Sequence, residues 1–215
     1  MNVIRITELI EKYPVLAPCA DSVAAAYKAL EACFTSGGKL LTAGNGGSSA
    51  DAGHIVGELM KSFTRRRPPL ASFTEALRAG GGERNAAYAQ YLCDSLQRGL
   101  PAIDLGAHTA LITACVNDIG GEIIYAQQLF NYGNAGDVFA AISTSGNAKN
   151  LIYALLTARV KGIKTVALLG GSGGIMKDYA DIAIVVPETE TYKVQELHLP
   201  VYHTLCLMLE EHFFP

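Results

Sequence analysis

The sequence predicts an α/β protein built on a central parallel sheet of five strands. Three observations carry this. First, five short runs are mostly apolar along their length: Lys39–Ala43, Pro101–Leu105, Asp137–Ser143, Lys164–Leu169 and Asp181–Val186. Strands apolar on both faces belong to parallel sheets covered on both sides. Second, segments of helical spacing lie between these runs, so helices make the crossovers. Third, two strand-to-helix turns are rich in Gly, Ser and Asn, and in such sheets ligands bind at the carboxyl ends of strands near a topological switch point.

The elements follow in order. Val23, Ala26, Tyr27, Leu30, Cys33 and Phe34 recur at i, i+3 and i+4 spacing, which predicts an N-terminal helix stopped by Gly37–Gly38. The first strand, Lys39–Ala43, ends at Gly44, and helical spacing resumes from Ser48 to about Phe63. Residues 64–100 change in texture, with Arg65–Arg67, Pro68–Pro69 and Gly80–Gly82. They read as an insertion made of a loop and one helix, from Glu83 to about Arg98. The basic run Arg65–Arg67 is short and reads as a solvated loop. After the second strand, helices are expected at about 107–116 and 121–131. The third and fourth strands are followed by a helix at Asn147–Val160 and by a Gly-rich turn with a short helix. The last helix is expected from about Leu199 to His212, because Pro200 deep in a helix would clash with the Glu196 carbonyl. It fits best in a first turn, with Gln195 just outside.

Composition narrows the function. The chain has 215 residues, half of them hydrophobic and 17% charged, enough for a sizeable core. A net charge of −3 gives no basic field for a nucleic acid. The stretch MNVIRITELIEKYP lacks the apolar core of a signal peptide, and no window approaches the roughly 18 apolar residues of a membrane span. The five cysteines form no CxxC and sit in apolar segments, so free buried thiols are expected. The expected setting is the cytoplasm, with neither nucleic acid nor membrane as partner.

Two turns carry the chemistry: Gly44-Asn-Gly-Gly-Ser-Ser-Ala50 after the first strand and Ser143-Thr-Ser-Gly-Asn147 after the third. Glycines admit close backbone approach, helix N-termini offer free N–H groups, and hydroxyls add donors. Such turns are also ordinary capped turns, but two of them at carboxyl strand ends favour an anion site. The first is no dinucleotide fingerprint, since Ser49 stands where a third glycine is needed. His54 and Glu58, spaced i, i+4, share a helix face near this loop. A His and a carboxylate together can hold a divalent metal or exchange protons. A third cluster is Gln195-Glu-Leu-His-Leu-Pro-Val-Tyr-His203, where helical geometry does not choose between His198 and His203.

With these residues in view, the chain resembles the SIS-domain phosphoheptose isomerases. The matching stretches are GNGGSSADAGHIVGEL at 44–59, ACVNDIG at 114–120, AISTSGNAKNLIYAL at 141–155 and VQELHLPVYH at 194–203. They occur in family order and span nearly the whole chain outside the insertion. The resemblance implies one SIS domain over residues 1–215, with N-terminal helices at 1–37 and an insertion at about 64–100. Its implied fold is a flavodoxin-like three-layer sandwich. It implies zinc, one ion per subunit, on His54, Glu58, Gln195 and His203. Substrate contacts are implied for Asn45, Gly46, Gly47, Glu58, Asn117, Asp118, Ser143, Thr144, Ser145 and Gln195. The implied reaction takes sedoheptulose 7-phosphate to D-glycero-D-manno-heptose 7-phosphate through an enediol, with Glu58 as base and His203 as acid. A homotetramer with sites at subunit interfaces is also implied. The chain departs from the family pattern at Ala148, where Ser or Thr is frequent, and at Lys61–Ser62, where Gly-Arg is common. The alternative is a non-catalytic SIS module, binding a sugar phosphate or a protein as the initiator-associating relatives do.

Overall fold

The computed structural model describes residues 3–215, so residues 1 and 2 of the expected N-terminal helical span lie outside it. The chain opens with helix α1 (Val3–Lys12), a 3-10 turn (Pro14–Cys19) and α2 (Ala20–Thr35). Strand β1 (Leu40–Gly44) leads into α3 (Gly47–Met60), which α4 (Ala71–Gly81) and α5 (Ala86–Ser95) follow. Then come β2 (Ala102–Asp104), α6 (Thr109–Asp118), α7 (Ile124–Tyr132), β3 (Val138–Ser143) and α8 (Lys149–Val160). The remainder is β4 (Lys164–Gly170), α9 (Met176–Tyr179), β5 (Ile182–Val186) and α10 (Thr191–Phe213).

The five strands form one parallel sheet in the order β2-β1-β3-β4-β5. The chain leaves β1 toward β2 on one side and returns to β3 on the other, so the switch point lies between β1 and β3. Alternate strand residues feed two cores. Leu40, Val138, Ile142, Val166 and Ile184 meet α1, α2, α3 and α10 on one face. Leu41, Ala43, Phe139, Ala141, Ala167 and Leu169 meet α7, α8 and α9 on the other. This is the expected three-layer sandwich. All five cysteines are free and buried. Among the described residues no helix is long and apolar enough to cross a membrane.

Three expectations are corrected. Residues 64–100 hold two helices, not a loop and one helix. The α4 helix is hidden by Pro68–Pro69 before it and by the three glycines, two of which form its last turn, yet Phe73 and Leu77 stand at i, i+4 spacing on it. It folds back on α5, where Cys93 Sγ–H donates to the Thr74 carbonyl.

The last helix begins at Thr191, not near Leu199, and carries Pro200 as its tenth residue. An interior proline costs about 3 kcal/mol. Burial of Val194, Val201, Tyr202, Leu205, Met208 and Leu209 along this helix offsets that.

Third, Arg67 is not solvated. It is 0% exposed and bonded to Glu210, also 0% exposed. Arg67 Nε–H donates to Glu210 Oε1 at 2.8 Å, while Nη1 and Nη2 donate to the carbonyls of Leu59 and Glu58 at 2.8 and 3.2 Å. The guanidinium stacks 4.5 Å from the Phe214 ring. Glu210 also accepts from Phe63 N, Thr64 N and Thr64 Oγ1 at 2.9, 2.9 and 2.6 Å.

Breaking a buried pair by removing one partner costs about 3–5 kcal/mol. Arg67→Met or Glu210→Gln is expected to lose that much stability in urea melts. A loss under about 1 kcal/mol would show that the pair is dispensable. Burial pushes the Glu210 carboxyl up, but the Thr64 hydroxyl and the Phe63 and Thr64 N–H groups outweigh it and hold it at about 2. A depressed carboxyl contributes stability above its ordinary 4.5 and loses it as the pH falls toward about 2. The wild-type melting curve is expected to drop across that window, and the Glu210→Gln curve to drop less.

Candidate active site

The register pairs Gly44 with Ile142, so the turns after β1 and β3 stand side by side over the switch point. In the first turn Gly46 takes φ +56° at the N-cap of α3, a conformation in which a side chain is strained. The glycine cap has no side chain to bond the first turn, where Ser48 N–H donates to the Asn45 carbonyl at 3.0 Å and Ser49 N–H to the Gly46 carbonyl at 3.1 Å. Asn45 is locked by Asn150 of α8 in a reciprocal amide pair of 3.0 and 2.9 Å. Tyr125 of α7 donates its hydroxyl to the Gly44 carbonyl.

In the second turn Ser143 Oγ accepts Gly146 N–H at 3.2 Å and Ser145 Oγ accepts Asn147 N–H at 3.3 Å. Each hydroxyl still has a proton to donate. Asn147 Oδ1 accepts the Ile175 N–H at 3.1 Å, and Gly146 O accepts the Met176 N–H at 2.9 Å. The glycine turn after β4 thus buttresses the turn after β3. Thr144 joins the same set through its carbonyl, which accepts Gly170 N–H.

A bridge links these turns to the histidine cluster. A Cβ on Gly47 would stand 2.3 Å from Gln195 Nε2, so the Gln195 amide lies directly over the start of α3. Two turns along α3, His54 Nε2 faces Glu58 Oε1 at 3.1 Å. Glu58 Oε2 accepts from Lys61 Nζ, also at 3.1 Å. The Glu58 side chain is 14% exposed and that of His54 is 41% exposed. The imidazole of His203 meets that of His54 edge to face, with centroids 5.0 Å apart. Burial lowers the His203 pKa, the neighbouring His54 lowers it further, and Glu58 pulls the other way.

Of the expected residues, Asn45, Gly46, Gly47, Ser143, Thr144, Ser145 and Gln195 gather at the two turns, and His54, Glu58 and His203 gather beside them. Asn117 and Asp118 lie at the exposed end of α6, where Asn117 Nδ2 donates to Asp118 Oδ1 at 2.7 Å. His198, which helical geometry left level with His203, is fully buried and shares Nε2 with the Leu169 carbonyl at 3.2 Å. Burial lowers it to about 4. Sequence reasoning missed Asn150 and Tyr125. Asn150 had a signal, lying in the motif stretch after Ser145, whereas nothing near Tyr125 marked it.

Among the described residues, no group of three or more His, Cys, Asp or Glu side chains is arranged as a metal site. Two observations nevertheless suit a cation. His203 Nε2 is buried without a partner among the described residues. His54 Nε2 and Glu58 Oε1, at 3.1 Å, are close to the about 3.3 Å between neighbouring ligand atoms in a tetrahedral zinc site.

Comparison with known proteins points to one family. Residues 99–170 match the SIS domain family. A phosphoheptose isomerase of Leptospira biflexa is 37% identical over 203 residues, covering 94% of this chain and 90% of that protein. One of Aneurinibacillus thermoaerophilus is 39% identical over 88% of this chain and 80% of its own length. The solved structure of a phosphoheptose isomerase from Francisella tularensis superposes with a TM-score of 0.74 at 29% identity, covering 98% of this chain and 99% of that one.

The turns rest on glycine at one position above others. Gly146 has φ +66°, and a Cβ there would lie 2.0 Å from the Gly173 carbonyl oxygen. Gly146→Ala is expected to lose at least about 1–2 kcal/mol, or roughly 2–8 °C in Tm, since left-handed backbone and a backbone clash add. An unchanged melt would show that the two glycine turns separate freely.

Proposed function

Because the chain belongs to the phosphoheptose isomerase family, we propose that it converts sedoheptulose 7-phosphate to D-glycero-D-manno-heptose 7-phosphate through an enediol. The chain is an aldose–ketose isomerase of sugar phosphates. What supports the finer reading is the meeting of two Gly/Ser turns, each leading into a helix, with a His/Glu/His cluster, joined by Gln195 over Gly47.

In this reading the phosphate sits on the N-terminus of α3 and on the hydroxyls of Ser143, Thr144 and Ser145. Helix N-termini favour anions, and charge-assisted hydrogen bonds are the stronger kind. Asn45, Gly46, Gly47, Asn117, Asp118 and Gln195 complete the substrate contacts. Glu58 takes the proton from the carbon next to the carbonyl. Its carboxylate is held at one oxygen by Lys61, while the other stands 3.1 Å from His54 Nε2, which fixes how it is turned in the site. His203, kept neutral by burial, supplies an imidazole N–H to the substrate oxygen. His54, Glu58, Gln195 and His203 would hold a divalent cation, with zinc expected, one per subunit. Such an ion, when bound, polarises a carbonyl and stabilises an enediolate. The non-catalytic alternative has no use for a carboxylate held in this way beside two imidazoles.

The test is direct. Incubate the protein with a panel of ketose phosphates in deuterated water and follow aldose formation and carbon-bound deuterium by NMR. Wild type is expected to turn over sedoheptulose 7-phosphate. Glu58→Gln should lose about 10²–10⁴-fold in turnover while still binding the sugar phosphate. No deuterium exchange with any substrate would overturn the reading.

We also propose a homotetramer with its sites at subunit interfaces. The supporting observation is apolar surface, since Tyr88 is 73% and Tyr91 70% exposed on α5, and Phe130 is 62% exposed on α7. Sedimentation at micromolar concentration is expected to give four times the 22.8 kDa of one chain, and a monomer would refute it.

A further inference from the structure

We propose that Asp51 and Tyr202 are positioning residues for His54, holding its imidazole so that an unprotonated Nε2 faces Glu58. This rests on the reading of His54 as a ligand in the site proposed above, and it gives roles to two side chains that lie in the matching stretches but were assigned none.

The geometry comes from two helices. Asp51 and His54 are spaced i, i+3 on α3 and share a face. Tyr202 comes from α10, one residue before His203. Its ring is 2% exposed and meets His54 and His203 edge to face, with centroids 5.5 and 5.0 Å away. Its hydroxyl stands 3.2 Å from Asp51 Oδ1 and 3.0 Å from His54 Nδ1.

Hydrogen-bond accounting then orders the protons. An ionised carboxylate only accepts, so the Tyr202 hydroxyl proton goes to Asp51. The hydroxyl oxygen is left to accept, and His54 Nδ1–H is the donor beside it. The ring proton of His54 is thereby assigned to Nδ1, and Nε2 presents a lone pair to the Glu58 carboxylate 3.1 Å away. Two acceptors facing each other is an arrangement that a cation relieves. Histidine ligands to metals commonly fix their orientation through the other ring nitrogen, on a carboxylate or carbonyl. Here a buried tyrosine extends that reach by one side chain. The carboxylate is kept at a cost, because Asp51 Oδ2 is buried with no partner among the described residues. A buried carboxylate with one oxygen unpaired is hard to explain by stability alone, and the order it imposes on Tyr202 accounts for it.

The experiment uses the full chain. Record the imidazole nitrogens of His54 by long-range proton–nitrogen NMR in wild type, Tyr202→Phe and Asp51→Asn, all stripped of metal. Measure zinc affinity of the same proteins by chelator competition, and their melting. Phenylalanine keeps the buried ring and removes only the hydroxyl. Wild type is expected to show the Nδ1–H form. Tyr202→Phe should lose that preference and bind zinc about ten- to a hundredfold more weakly, and should also melt lower because the Asp51 carboxylate loses its hydroxyl donor. Asp51→Asn reads the same chain from its other end, should Tyr202→Phe fail to fold. Wild type in the Nε2–H form, or Tyr202→Phe with wild-type tautomer and zinc affinity, would overturn the proposal. His54→Ala that keeps the wild-type zinc content would instead remove the ligand reading, while the tautomer measurement still judges the positioning role.

Discussion

A guanidinium taken fully out of water is tolerable only if its charge and its donors are met, and the placement of the site follows from how Arg67 is met. Its charge is neutralised by Glu210 on α10, and its remaining donors close the open carbonyl end of α3 at Glu58 and Leu59. The last carbonyls of a helix have no intrahelical donors, so a side chain arriving from beyond the helix is a natural cap. Phe63 and Thr64 then bind the same carboxylate, which pulls the chain leaving α3 down onto α10. The two helices that carry His54 and Glu58 on one side, and Gln195 and His203 on the other, are thus pinned at neighbouring ends by one ion pair. A hydrophobic contact could hold them together but would not fix their rotation as narrowly. The directional bonds of the guanidinium and the carboxylate do.

At the other end of α3 the constraint is steric. The Gln195 amide occupies the space that a side chain at position 47 would need. The helix is therefore located by an ion pair at its C-terminus and by a glycine contact at its N-terminus, both made with α10. The sheet sets what lies between. With β1 and β3 adjacent and parallel, their exit turns must open toward the same side, and α3 and α8 point their N-termini into one crevice. The Asn45–Asn150 amide pair holds those two helix starts at fixed separation.

Much of this was legible in the sequence because it depends on local pattern. Apolar strands, the two Gly/Ser turns and the His54–Glu58 spacing are each written within a few neighbouring residues. What was not legible depends on partners far along the chain. Arg67 looks like one of three loop arginines, and only Glu210, 143 residues away, makes it a core residue. Pro200 obeys the local rule against interior prolines until the burial along α10 is counted. The α4 helix was masked by the prolines before it and the glycines at its end, which are strong local signals but do not forbid a helix that starts after the former and ends in the latter. Tyr202 stood inside a matching stretch but with no role to give it, since a tyrosine in an apolar helix is ordinarily core, and it became informative only through Asp51 and His54.

The two histidines of α10 show how packing decides what periodicity leaves open. At about 100° per residue, His198 lies about 60° and His203 about 80° from Gln195 around the helix, so neither is excluded as its companion. They are about 140° from each other, so they cannot serve the same neighbour. One must face the sheet, and the structure gives that place to His198, sealed against the end of β4 with its pKa lowered to about 4. A ring in that position is a space-filling side chain with one satisfied nitrogen. The other ring is left to face α3, where His54 and the side chain of Glu58 still meet solvent. The same residue type, five positions apart on one helix, becomes core or site according to which layer lies beside it.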